Sequence, residues 1–309
     1  MSSTLDQDVA AFEMHRRALT GLAYRMLGSL SEAEDIVQEA YLRWHAAERE
    51  RVGNPRAYLL RTVARLCLDH LKSARARRET YVGPWLPEPI IDETALAPDN
   101  ASELADDLSV AFLMTLERLS PLERAAFLLH DIFEMEFGDI AKVLDRSESA
   151  CRQLAARGRA HVREARPRFR VPEDEATRLT DAFHRALVTG DAAQFAELLA
   201  ADAILYADGG GKRAAALNPI HGHDRIVRFF EGLAQAGNLP PPEAVHRVRL
   251  HGLPGLVVID RGGAIDTIAT LDIRDGRVVA IYAVRNPDKL AHISLRSFRS
   301  GGEDPQIRH

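Results

Sequence analysis

The sequence has 309 residues, 46% of them apolar and 28% charged, with a formal net charge of −5. That is enough for two or three cores, too apolar for a mostly disordered chain, and without any stretch near the roughly 20 apolar residues of a membrane span. Two distant cysteines, Cys67 and Cys151, argue against a disulfide framework or structural zinc, and residues 1–10 do not read as a signal peptide, so a cytoplasmic protein is expected.

In chain order, Ser31 and Glu34 form an S-x-x-E capping signature. The helix it opens places Ala33, Ile36, Val37, Ala40, Tyr41 and Trp44 on one face and Glu34, Asp35, Gln38, Glu39 and Arg43 on the other. A helix over 55–77 carries Tyr58, Leu59, Val63, Leu66 and Leu71 beside a basic block of Arg61, Arg65, Lys72, Arg75, Arg77 and Arg78. From 86 to 107 there is no Lys or Arg, while Glu88, Asp92, Glu93, Asp99, Glu103, Asp106 and Asp107 lie among prolines. That composition describes either an extended acidic linker between two basic modules or an ordinary solvated loop.

The second module opens at Ser120-Pro121-Leu122-Glu123, an N-cap, a proline at the first helical position and a return glutamate. A helix over 121–133 precedes a short one over 137–144, and Ser147 caps a third that reaches about 166. On this last helix Cys151, Ala155, Gly158 and Val162 recur at helical spacing and face a core, while Arg152, Gln153, Arg157 and Arg159 project elsewhere. Two short helices, a tight turn and a basic outer face fit a helix-turn-helix, or a helical hairpin with a solvated face.

Beyond Pro172, helical patterns over 173–199 and 226–236 give way to β-rich runs at 245–250, 256–259, 265–273 and 278–284. Asp275-Gly276 between two such runs predicts a tight hairpin. Helices followed by hairpins indicate an α+β domain with an antiparallel sheet.

Several of these stretches resemble a known family. Ser31-Glu32-Ala33-Glu34-Asp35-Ile36-Val37-Gln38-Glu39-Ala40-Tyr41-Leu42, with Arg56-Ala57-Tyr58-Leu59-Leu60 and Leu68-Asp69-His70-Leu71, resembles region two of sigma-70-type bacterial sigma factors. The second module resembles region four. With regions one and three absent, the chain looks like an extracytoplasmic-function (ECF) sigma factor. Trp85-Leu86-Pro87-Glu88-Pro89, Asp208-Gly209-Gly210-Gly211-Lys212 and Asn286-Pro287-Asp288-Lys289-Leu290 resemble the subgroup whose sigma core is fused to a SnoaL-like domain of the nuclear-transport-factor cone fold. Arg65 departs from the asparagine usual in the family, and Leu154 from the usual arginine.

The resemblance implies a multidomain chain: region 2 over 1–80, an acidic linker over 81–107, region 4 over 108–170, a SnoaL-like regulatory domain over 173–293 and a flexible tail over 294–309. It implies a promoter-specific transcription initiation factor whose partners are the core RNA polymerase and the −10 and −35 promoter elements. Asp35, Gln38 and Glu39 would meet a basic coiled coil on the polymerase. Arg61, Arg65, Lys72 and Arg75 would follow a single strand, with the turn over 46–55 taking flipped bases. Ser149, Arg152, Gln153, Arg157 and Arg159 would serve the upstream element, since arginine suits guanine edges and glutamine suits adenine. Trp85 would anchor the linker in the polymerase or against the C-terminal domain, or simply tie a loop to its own domain. The 208–212 and 286–290 motifs, read as loops that packing does not require, would dock on the sigma core and set its activity.

The same fold class hosts cyclases and isomerases, and Asp208, His221, His223, Asp224 and Asp266 are of the types used in acid–base pairs. The alternative is therefore a SnoaL-like enzyme, or a small-ligand sensor, fused to a DNA-binding module. Fold analogy does not establish activity, and two complete DNA modules favour the initiation factor. The Gly209-Gly210-Gly211-Lys212 run lacks phosphate-loop spacing and is followed by Arg213; it reads instead as a flexible turn in close backbone approach. No catalytic residue, metal or cofactor is expected, while a small ligand in the C-terminal domain is left open.

Overall fold

The computed structural model describes residues 2–47, 52–91, 108–165, 172–189, 191–235, 244–251 and 253–293. They fall into two compact units, Met1–Thr80 with Asp92–Pro167 and Tyr81–Ile91 with Arg168–His309. The start of the expected linker thus belongs with the C-terminal domain. Its remainder, 92–107, and the expected tail, 294–309, lie outside the described residues.

The first unit is helical. Helix α1 (Ser2–Leu27) buries Phe12, Leu19, Leu22, Ala23, Met26 and Leu27 and stops at Gly28, whose φ of 69° suits a left-handed helix end. Helix α2 (Leu30–Ala46) buries Ala33, Ile36, Val37, Ala40 and Trp44 as expected. Its cap is Ser29 rather than Ser31: two S-x-x-E signatures overlap here, and Ser29 Oγ accepts the Glu32 amide at 3.2 Å. Helix α3 (Pro55–Glu79) starts at a proline, with Asn54 Oδ1 accepting the Ala57 amide at 3.0 Å.

Helix α4 (Val110–Arg118) precedes α5 (Pro121–Phe127), which carries the full Ser120/Glu123 capping box. The expected helix over 121–133 changes character at Leu128–Ile132, a π-helical turn. Helix α6 (Phe137–Leu144) ends at Asp145 with a φ of 53°, and Ser147 Oγ accepts the Ala150 amide at 3.2 Å to start α7 (Glu148–Ala165). The buried stripe of α7 packs on α5 through Gly158, where a Cβ would sit 2.9 Å from that of Phe127.

The second unit opens with α8 (Glu173–Thr189) and α9 (Ala192–Leu198), followed by β1 (Leu199–Asp208), β2 (Ile220–His221), α10 (His223–Gln235), β3 (Ala244–Leu250), β4 (Leu253–Ile259), β5 (Ile265–Arg274), β6 (Arg277–Val284) and the short α11 (Pro287–Leu290). The strands form one sheet in the order β2-β1-β6-β5-β4-β3. The α+β class matches the expectation, but the sheet is mixed: β1 runs parallel to β6. Asp275 and Gly276 both take positive φ, 49° and 72°, between the paired Arg274 and Arg277, as a two-residue hairpin turn requires. Leu179 and Phe183 of α8, Phe195 of α9 and Ile226 of α10 pack with Leu205, Leu256, Leu271 and Ile281 of the sheet. Among the described residues no helix is long and apolar enough to cross a membrane.

Candidate functional site

On α2, Asp35 and Gln38 are exposed and Glu39 is half-buried, with Arg43 Nε 2.9 Å from the Glu39 carboxylate. Leu42 stands beside them, 56% exposed. The expected acidic and amide face is therefore presented by the helix, with an apolar side chain at its centre.

The basic side chains of α3 are engaged unevenly. Lys72 is exposed and pairs with Asp69 at 2.8 Å, while the side chain of Arg75 lies outside the described residues. Arg65 donates to the carbonyls of Lys142 (2.5 Å) and Val143 (3.5 Å) in the last turn of α6. Arg61 lies 3.9 Å from Asp139 of α6, and Arg56 donates to the Phe133 carbonyl at 3.1 Å. Of the 46–55 turn, residues 48–51 are outside the described set. Ala47, Val52, Gly53 and Asn54 line a cavity of about 450 Å³ together with Ala57, Tyr58, Arg61 and Asp139.

On α7, Ser149, Arg152 and Gln153 are exposed. Arg152 is steadied by Glu148 at 3.1 Å and by the Phe137 ring, 4.9 Å from its guanidinium carbon. Arg157, which is exposed, and the more buried Arg159 are also held by ion pairs to their own module. Arg157 Nε meets Glu123 at 2.6 Å, and Arg159 makes two bonds to Asp131 at 2.7 and 3.0 Å. Leu154 is buried among the α7 core residues.

The densest polar cluster of the second unit surrounds Asp208 at the end of β1. The residue is fully buried. Its carboxylate accepts from Tyr81 Oη (2.5 Å), the Leu86 amide (2.9 Å), the Gly210 amide (3.1 Å) and Lys289 Nζ (2.7 Å). Lys289, also buried, donates to the Leu86 carbonyl at 2.5 Å. Its ammonium lies 4.2 Å from the Trp85 ring centroid and 5.0 Å from that of Tyr81. Asn286 caps α11 with Oδ1 and donates from Nδ2 to Tyr81 Oη at 2.9 Å. Farther along, His292 Nε2 lies 2.9 Å from the Pro89 carbonyl. Tyr81–Ile91 is thus clasped by the Asp208 and Asn286 motifs, with Leu86 and Ile90 buried and Glu88 nearly so.

This placement corrects one expectation and selects among the alternatives for Trp85. The motifs are not loops that packing does without, because Asp208, Asn286 and Lys289 are among the most buried polar residues of the domain. They also grip the tract containing Trp85, so the tryptophan is tied to the C-terminal domain. The triple glycine forms a defined turn, with the Gly209 carbonyl accepting from Lys212 and Arg213. Gly210 takes a φ of 58°, and a Cβ there would collide with the Asn286 carboxamide. Lys212 and Asp288 close the cluster with an exposed ion pair at 2.5 Å. Burial, then the neighbouring Asp208, push the Tyr81 hydroxyl well above its ordinary pKa.

Tyr81, the Leu86 backbone, His292 and Arg56 were not singled out by the sequence. A tyrosine four residues before Trp85 in a Pro- and Gly-containing stretch was the available signal for the first.

The acid–base candidates are dispersed over separate tasks. Asp208 holds the clasp. Asp266 accepts both Arg285 bonds at 3.0 Å; burial raises its carboxyl, but Thr267 and Arg285 outweigh that and hold it below the usual range. His221 is exposed on β2, and His223 pairs with the exposed Asp224 at 3.0 Å. Among the described residues no cluster of His, Cys, Asp and Glu could hold a metal ion.

Comparison with known proteins places these elements among relatives. The sigma-70 region 2 model matches residues 11–77, spanning α2 and most of α1 and α3, and the sigma-70 region 4 model matches residues 109–162, spanning α4 to α7. Over 305 residues the chain is 38% identical to the ECF RNA polymerase sigma factor SigJ of Mycobacterium tuberculosis H37Rv, covering 95% of this chain and 96% of the relative. It is 38% identical over 192 residues to the probable ECF RNA polymerase sigma factor SigI of M. tuberculosis CDC 1551, covering 62% and 66%. The crystal structure of M. tuberculosis SigJ matches with a TM-score of 0.69 at 35% identity, covering 92% of this chain and 98% of that one.

Proposed function

This chain belongs to the ECF RNA polymerase sigma factors, and we propose that within that role its C-terminal domain sets transcription by clasping the segment between regions 2 and 4. As a sigma factor it serves transcription initiation, a role carried out by binding rather than by catalysis. In our reading Asp35, Gln38 and Glu39, with Leu42 among them, meet the core polymerase. Lys72 and its basic neighbours on α3 follow the −10 strand, and Ser149, Arg152 and Gln153 read the −35 element.

The observation that carries the regulatory reading is the buried Asp208–Lys289 pair closed around Tyr81, Trp85 and Leu86. A buried ion pair is a poor source of net stability, yet losing one partner is costly, so it suits a contact with two states. Chain length gives the contact a consequence. Residues 81–107 can span about 90 Å when extended, whereas 92–107 alone can span about 55 Å. A clasped connector therefore limits how far region 4 can travel from region 2. The clasp is intramolecular, and its high effective concentration lets it compete with polymerase for the connector.

Transcription by purified bacterial core polymerase across a random promoter library tests the initiation role. Start sites sharing two spaced upstream elements, dependent on this chain, are expected. Output no greater than that of core enzyme alone overturns it.

A further inference from the structure

Three arginines at the start and middle of α3 reach across to region 4. Arg65 reaches the carbonyls of Lys142 and Val143, in the last turn of α6. Helix ends leave such carbonyls without intrahelical donors and with partial negative charge, so a guanidinium there completes the helix. At the α6 end the Ala141 carbonyl accepts from the Asp145 and Arg146 amides. Arg56 performs a similar service at Phe133, the residue before Glu134 with its φ of 55°. Arg61 approaches Asp139 at 3.9 Å, a carboxylate that also pairs with Lys142 at 3.1 Å and forms one wall of the cavity under the α2–α3 turn.

We propose that Arg56, Arg61 and Arg65 form a latch that closes region 4 over the nucleic-acid face of region 2, and that a DNA strand opens it by competing for the same guanidiniums. The proposal rests on the reading of α3 as a strand-binding helix. Phosphate oxygens and the α6 carbonyls need the same donors, so occupancy of one excludes the other at Arg65. The rim is weak enough to open: the Arg65 side chain is exposed, and the Arg61 and Asp139 side chains are 31% and 34% exposed, in reach of solvent and salt.

Fluorescence energy transfer in the full chain reads the closure, with dyes on cysteines introduced at Asp69 and Ala160; native Cys67 and Cys151 are buried. Asp139→Asn removes the carboxylate that faces Arg61 without substituting any residue of α3. It should lower transfer and bind a single-stranded 12-mer DNA about three- to tenfold more tightly than the wild type. Arg65→Asn should lower transfer as well, and adding the 12-mer to the wild type should move transfer in the same direction. Unchanged transfer in both variants, or saturating DNA with no change in transfer, overturns the latch. Lys72→Ala tests the underlying reading separately: Lys72 pairs with Asp69 on its own helix, so undiminished 12-mer binding there sinks the strand-binding assignment while the transfer measurements still judge the closure.

Discussion

The Asp208 carboxylate and the Lys289 ammonium lie 2.7 Å apart, with 0% and 8% of their side chains exposed, and both also bind the backbone of Leu86. One residue ends the first strand and the other sits in the last described helix. The pair therefore joins β1 to the chain after β6 and fastens both to a segment more than a hundred positions away in sequence.

Removing one partner leaves a buried charge. Lys289→Met is expected to destabilise the second unit by about 3–5 kcal/mol, and Asp208→Asn with Lys289→Met to recover part of that loss. Urea unfolding followed by Trp85 fluorescence, in a Trp44→Phe background, measures both. Additive losses would mean that the two side chains act independently.

Tyr81 gives the clasp an alkaline limit. Its folded pKa is raised above the ordinary value of 10.0, so the folded state keeps the proton longer than the unfolded one. Its contribution is complete below about pH 10 and is lost as pH rises from there through the folded pKa. Trp85 emission is expected to change above pH 10 in the wild type and to lose that step in Tyr81→Phe.

Two glycines with positive φ separate conformational strain from collision. Gly263, at φ 76°, has open space around its missing Cβ, so Gly263→Ala should cost about 1–2 kcal/mol. Gly210→Ala carries the same strain and meets Asn286, adding about 1–3 kcal/mol of overpacking. Thermal unfolding of the two variants gives the difference directly.

Region 4 holds arginines with distinct duties. Arg152→Ala is expected to change discrimination at one upstream promoter position by about 1–3 kcal/mol. Arg159→Ala should instead lower the stability of the helical unit by breaking the Asp131 pair, with base preference unaltered. Binding to a panel of single-base promoter variants, alongside thermal melts, distinguishes them.

Charge reversal at Asp35 and Glu39 is expected to weaken the core polymerase complex while circular dichroism stays unchanged. Undiminished affinity in a titration would remove the face from the polymerase contact.

Much of the helical unit was legible because its signals are local. The Ser120/Glu123 box with Pro121 and the 151–155–158–162 stripe on α7 follow from rules spanning a few residues. The Asp275-Gly276 hairpin was legible for the same reason. Strand β1 was hidden, since Ala200, Ala201, Asp202 and Ala203 give no strand preference and its place depends on parallel pairing with β6. The clasp was only half visible. The resemblance marked its three motifs as separate pieces, but their convergence is tertiary, and nothing near Asp208 in sequence points to Tyr81. The roles of Arg65, Arg157 and Arg159 were obscured similarly: basic composition suggests DNA, while the Asp131, Glu123 and α6 carbonyls that engage them lie 28 to 78 positions away.

Single-round transcription with purified core polymerase tests the regulatory claim most directly. The wild-type chain is compared with Asp208→Asn, Lys289→Met, a double variant that opens the clasp without leaving a lone buried charge, at matched concentration on one promoter selected by the wild type. The clasp account predicts severalfold more transcript from the double variant, because its connector is free to extend. Equal or lower output from a double variant that remains folded would contradict it.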